Sequence, residues 1–171
     1  MPNVILLKNM NVLLREFQYS DIPFLRKMLY EAVYWRPTPN KPSFEDGLAN
    51  PGVSNALVDW GKRDGDIAVI ALIDSIPAGA AWYRFYTDDN FIRGYIEEAI
   101  PVVVIAVHKD YRRLGLGERM INWLIAYASE HNIEKLSLMV SKDNHAVNLY
   151  RKCSFLEYDD TGDSLLMLRE I

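Results

Sequence analysis

The run Pro101 to His108 constrains the fold most, because Val102, Val103, Val104, Ile105 and Val107 extend an apolar, β-branched stretch over one strand length. β-Branched side chains fit a pleated surface, and a run without polar alternation predicts a strand buried on both faces. It passes through Lys109, Asp110 and Tyr111 into Arg112-Arg113-Leu114-Gly115-Leu116-Gly117. From Gly117 a helix is predicted, since Met120, Ile121, Leu124, Ile125 and Ala128 fall on one apolar face.

The remaining elements follow from periodicity and turn residues. Val12 to Phe17 reads as a strand. Ser20 and Asp21 cap a helix that tolerates Pro23 in its first turn and repeats Phe24, Leu25, Met28, Leu29 and Ala32. Arg36 to Gly52 holds four prolines and reads as loops around one short helix, either a substrate-facing lid or a surface connection. Ile67 to Ile73 and Ala78 to Tyr86 form a hairpin around a turn at Asp74 to Pro77, and Thr87 to Asn90 is a further turn. Leu136, Leu138 and Val140 alternate as a strand, and Asn144 to Cys153 is a short helix. Phe155 to Tyr158 and Leu165 to Leu168 close the sheet around a turn at Asp159 to Asp163. The order predicts a mixed α/β (α+β) domain with a central sheet.

Length and composition bound the rest. The 171 residues suit one domain, 1–171, and a chain half hydrophobic with ten Tyr and four Trp can bury a core. A net charge of −4 argues against nucleic acid as a partner. One cysteine, Cys153, forms no intrachain disulfide, and a reducing compartment fits. The apolar run Val4 to Leu7 is too short for a signal peptide or membrane span. A soluble, cytoplasmic protein with no membrane partner is expected.

The loop after the valine-rich run is built for an anion. A helix leaves its first N–H groups unpaired and its dipole positive at that end. Glycines let a phosphate approach the backbone, and Arg112 and Arg113 add charge. A P-loop would need Gly-x-x-x-x-Gly-Lys-Ser/Thr, and that string is absent. A dinucleotide fingerprint would need glycine or alanine where Met120 stands. The pattern that fits is Arg-x-x-Gly-x-Gly, on Arg112, Gly115 and Gly117.

That pattern, after a strand and opening a helix, resembles the coenzyme motif of the GNAT superfamily of N-acetyltransferases. The stretch Asp143 to Phe155, with Asn144, Ala146 and Tyr150, is similar to the family's downstream motif, although Ser154 stands where glycine is usual. The element order matches over about residues 11–169. The resemblance implies a central, mostly antiparallel twisted sheet with a V-shaped splay, flanked by helices. It also implies transfer of acetyl from acetyl-CoA to a primary amine by direct attack in a ternary complex.

Roles carry over position by position. The resemblance implies that the backbone of Ile105, Ala106 and Val107 pairs with the pantetheine arm. The amides of Arg113, Leu114, Gly115, Leu116 and Gly117, beside Arg112, would hold the diphosphate. Asn144 would bond the arm, or serve as a helix cap alone. Tyr150, about 9 Å along a helix from Asn144 at the standard rise, would protonate the departing thiolate, or is a core tyrosine. The Val107 amide would stabilise the oxyanion. The glutamate that many members carry on the central strand is missing, since Val102 and Val103 stand there. Glu98, with Glu97 just before the strand, is the candidate base through water; a solvated pair is the alternative.

Other residues carry less. His108, His131 and His145 show no ligand spacing, so no metal is expected, and His108 is a secondary base candidate. Cys153 reads as packing, since direct attack needs no acyl-enzyme. Trp35, Trp60, Trp82 and Tyr83 line an acceptor pocket or pack the core. The acceptor is a small-molecule amine or a peptide, and homodimers are common in the family. The alternatives are a coenzyme-binding regulatory module without turnover and a protein N-terminal or lysine acetyltransferase.

Overall fold

Strands Val12–Glu16 (β1), Ile67–Ile73 (β2), Ile76–Arg84 (β3) and Val102–Val107 (β4) lie side by side as consecutive antiparallel neighbours. Lys135–Ser141 (β5) runs parallel to β4. Ser164–Glu170 (β7) and Leu156–Asp160 (β6) complete a seven-stranded sheet in the order β1-β2-β3-β4-β5-β7-β6. This computed structural model describes residues 10–171, so the Val4 to Leu7 run lies outside the described residues.

Helices cover both faces because the strand residues alternate between two cores. Ile67, Val69, Ala71 and Ile73 of β2 meet Leu116, Met120, Ile121, Leu124 and Ala128 of the helix Leu116–Glu130 (α4). The helix Ala146–Lys152 (α5) adds Val147 and Tyr150 to the same core. Ala68, Ile70 and Leu72 face the other way, onto Leu25, Met28 and Leu29 of the helix Ile22–Val33 (α1). Period-two alternation on a doubly covered strand leaves it apolar throughout, which is why β2 is buried at every position. Among the described residues no helix is long and apolar enough to cross a membrane.

The expected elements are present, although neither Ser20 nor Asp21 caps α1 with its side chain and β6 runs on to Asp160, past the expected start of the turn; three further differences stand out. The Arg36 to Gly52 stretch holds two short helices, Phe44–Ala49 (α2) and Pro51–Ser54 (α3). Ser43 caps the first by accepting from Asp46 N, and Asn50 caps the second by accepting from Gly52 N, with Pro51 at the first helical position. In the hairpin, Asp74 and Ser75 alone make the turn, both at positive φ (49° and 69°), so β3 starts at Ile76. Pro77 is tolerated inside β3 beside a register shift at Ala71/Leu72, where a ladder donor is dispensable. The third difference concerns β4. Val102 and Val103 are buried, but Val104, Ile105 and Val107 are less covered, because the strand loses its β5 neighbour there.

Candidate active site

Strands β4 and β5 are joined by a single register pair, Val102 with Ser137, and Ser137 N donates to Pro101 O at 3.1 Å. Beyond that pair they diverge into a V. At its closed end the loop before β4 packs between the strands, where Ser137 Oγ donates to the Gly94 carbonyl at 2.7 Å.

The β3–β4 register decides which backbone groups face the gap. His108 N donates to Ala78 O at 2.8 Å, so the even-numbered residues of β4 turn their N–H and C=O toward β3. Those of Ile105 and Val107 point toward the gap. Ala106, expected among the backbone partners of the pantetheine arm, instead pairs with Ala80 and sits in the α1-side core. One gap-facing group is already engaged, since Arg112 Nε donates to the Val107 carbonyl at 3.1 Å.

The glycine loop leads from β4 into α4. Arg113 has φ 64° and Gly115, at the helix N-cap, has φ 77°. Left-handed residues alternating with ordinary ones turn successive amides inward, a concavity suited to an anion. A side chain at Gly115 would meet nothing within 4 Å, so its requirement is conformational. At Gly117 the requirement is space, because a Cβ would lie 2.9 Å from Leu149 Cδ2. The loop is thus pressed against α5, the helix that carries Tyr150. Glu118 and Lys152 link the two helices at 2.7 Å. Arg112 does not project freely from the loop; besides Val107 it reaches Glu31 of α1 at 3.4 Å.

Asn144 and Tyr150 flank the β5 side. Asn144 Oδ1 accepts from Ala146 N at 2.9 Å, a side-chain turn just before His145, the N-cap of α5, and its amide nitrogen is left for another partner. Tyr150 is buried, and desolvation pushes its hydroxyl well above the ordinary tyrosine range. It is protonated at neutral pH, as an acid must be. Its ring also packs edge-on against Phe155, with centroids 6.0 Å apart, as a core tyrosine would. Cys153 is buried and its thiol pushed up by burial, which fits packing.

Glu97 and Glu98 are exposed before β4, near Tyr95, whose hydroxyl donates to Asp88 at 2.6 Å. That bond leads the effects that push Tyr95 up to about 12, with Glu98 and Glu97 adding to it. Among the described residues no side-chain bond links Glu98 to β4 or β5. His108 caps the turn after β4, where Nδ1 accepts from Asp110 N at 3.4 Å. Trp60 and Trp82 pack edge-to-face at 6.3 Å in the α1-side core, and Tyr83 lies in the opposite core. Trp35 lies under the Arg36 guanidinium at 4.7 Å. Among the described residues no cluster of three or more His, Cys, Asp or Glu could hold a metal ion.

Arg84, fully buried, makes two 2.7 Å bonds to Asp66 and donates to the carbonyls of Asn55 and Val58, over the Trp60 ring. It anchors the segment after α3 to β3. No local signal announces such a pair, since the partners are distant in sequence.

Comparison with known proteins agrees with this geometry. The model of the acetyltransferase (GNAT) family matches residues 28–155. No curated protein matches the sequence. Among solved structures, a GNAT-family acetyltransferase from Streptococcus pneumoniae is 22% identical, with a TM-score of 0.66 over 94% of this chain and 100% of that one. The PaiA N-acetyltransferase from Thermoplasma acidophilum, in complex with coenzyme A, is 14% identical with a TM-score of 0.69, covering 94% of this chain and 99% of that one. The YncA protein from Salmonella typhimurium, with its cofactor acetyl-CoA, is 15% identical with a TM-score of 0.67, covering 94% of each chain.

Proposed function

Because the chain belongs to the acetyltransferase (GNAT) family, we propose that it transfers acetyl from acetyl-CoA to a primary amine of a small molecule or peptide, by direct attack in a ternary complex. The family supplies acetyl-CoA as donor and an acyltransferase activity of class EC 2.3.1. The acceptor and the chemical steps are our reading.

The single register pair between β4 and β5 carries this reading. It leaves a strand edge without a partner, ending at a loop of inward-turned amides. A pantetheine arm can pair with the gap-facing groups of Ile105, as another strand would, which leaves the Val107 N–H for the thioester carbonyl. The diphosphate then meets the amides from Arg113 to Gly117 at the start of α4. Arg112 acts by fixing the strand end and the loop, and Asn144 offers its amide to the arm.

In the proposed reaction a neutral amine attacks the thioester carbonyl and forms a tetrahedral adduct. The Val107 amide stabilises its oxyanion, and collapse breaks the C–S bond. Tyr150 protonates the departing thiolate. The surplus proton of the amine leaves through water, with Glu98 as the outer carboxylate of that path. We further propose that the protein works in the cytoplasm.

Purified protein incubated with acetyl-CoA and a panel of small amines and peptides tests the reading through thiol release and product mass. Acetyl-CoA binding together with acetylation of at least one amine is expected. Neither binding nor turnover would overturn it, and tight binding without turnover across the panel would indicate a coenzyme-binding module instead.

A further inference from the structure

The mouth of the V is bridged on the α1 side by two ion pairs from one short stretch of chain. Glu31, in the last turns of α1, reaches Arg112 at 3.4 Å, and Arg112 in turn holds the Val107 carbonyl at the end of β4. Arg36, just past α1, reaches Asp143 at 2.8 Å with a second bond from Nε at 3.3 Å. Asp143 follows the end of β5 and adjoins Asn144. One pair therefore fixes the β4 lip and the other the β5 lip.

The strands themselves supply no such restraint. Their one register pair lies at the closed end, so beyond it no ladder sets the distance between them. A pantetheine arm bonded to the β4 edge and to Asn144 requires that distance to be right. Binding is stronger when the receiving groups are already in place, because less ordering is needed at the moment of contact. The Arg36 guanidinium also stacks on Trp35, which restricts its rotamers, and the Asp163 carboxylate on the β6–β7 turn adds its field to that of Asp143.

Resting on the coenzyme reading above, we infer that Glu31, Arg36 and Asp143 form a clasp across the mouth of the V that holds its two lips at the spacing acetyl-CoA needs. These are positioning residues: they act through Arg112 and Asn144, and none touches the reacting atoms. Arg36 and Asp143 are largely exposed and Glu31 is partly so, hence the pairs contribute little to overall stability. Their effect falls on coenzyme affinity.

The test compares wild type with Glu31→Gln, Arg36→Glu and the charge swap Arg36→Glu/Asp143→Arg, using calorimetry with CoA and acetyl-CoA, steady-state kinetics and thermal melting. Each single variant is expected to raise Kd and KM for acetyl-CoA about twofold to fivefold, with kcat and Tm held. The charge swap is expected to recover most of the loss, which a merely structural role would not do. Unchanged Kd in both single variants, a charge swap no better than Arg36→Glu, or losses that track Tm would each overturn the clasp. Wild-type protein that fails to bind CoA would overturn the coenzyme reading itself and the clasp with it. Wild-type binding with indifferent variants removes the clasp alone.

Discussion

Gly117 of α4 stands so close to Leu149 of α5 that a Cβ at 117 would lie 2.9 Å from Leu149 Cδ2. That contact joins the glycine loop to the helix bearing Tyr150. Gly117→Ala must therefore push the helices apart, or turn Leu149 aside. We expect acetyl-CoA affinity to fall about tenfold with the fold retained. Leu149→Ala on the Gly117→Ala background restores room and should recover part of it. Calorimetric titration of the single and double variants checks this.

Tyr150→Phe keeps the buried ring and removes the proton donor. The proposed role predicts a fall in kcat of about 100-fold with KM for acetyl-CoA nearly unchanged. Desolvation raises the hydroxyl's pKa, so wild-type activity should show no alkaline loss from this group below the ordinary tyrosine range. A variant with wild-type kcat would make Tyr150 a core residue only.

Glu98→Gln tests the outer end of the water path. Removing the carboxylate that takes up the amine's proton through water should lower kcat/KM and leave acetyl-CoA binding intact. A kcat/KM equal to wild type removes Glu98 from the mechanism. The carboxylate is exposed, so loss of stability is not expected to confuse the result.

Asp66→Asn leaves the fully buried Arg84 with an uncompensated charge. A loss of about 3–5 kcal/mol in denaturant unfolding is expected, the range for breaking one partner of a buried pair. Arg84 also holds the Asn55 and Val58 carbonyls, so Arg84→Met should be at least as harmful.

Stability toward acid should depend on Asp21. Its carboxyl is held below the usual range, first by the Arg15 bonds and also by the Gln18 N–H. A folded pKa below the unfolded one gives stability that is fully present above the unfolded value, about 3.9, and is lost as pH falls through the folded value. Asp21→Asn should lower Tm at neutral pH and shrink that acid dependence, measured by melts from pH 7 to pH 2.

Element types were legible because each rests on a short-range rule. β2 fell on its expected bounds since a doubly covered strand is apolar at every position, and α4 announced itself by its apolar stripe. The edges of the β2–β3 hairpin were not, because Asp74 and Ser75 both adopt positive φ and shorten the turn. In the site, the loop and the Asn144–Tyr150 segment were legible as local strings. The roles of single atoms were not. That Ala106 turns its backbone to β3 follows from register, and that Arg112 is spent on Val107 and Glu31 follows from packing.

The sequence by itself determined the order of elements, the glycine loop at the start of α4 and the family resemblance, because a helix start, its glycines and a run of valines are properties of neighbours along the chain. Tertiary structure alone decided the width of the V, the approach of Gly117 to Leu149, the burial of Arg84 with Asp66, and the meeting of Arg36 with Asp143. Those depend on how strands register and helices pack, and partners separated by tens of residues leave no periodic trace in the chain between them.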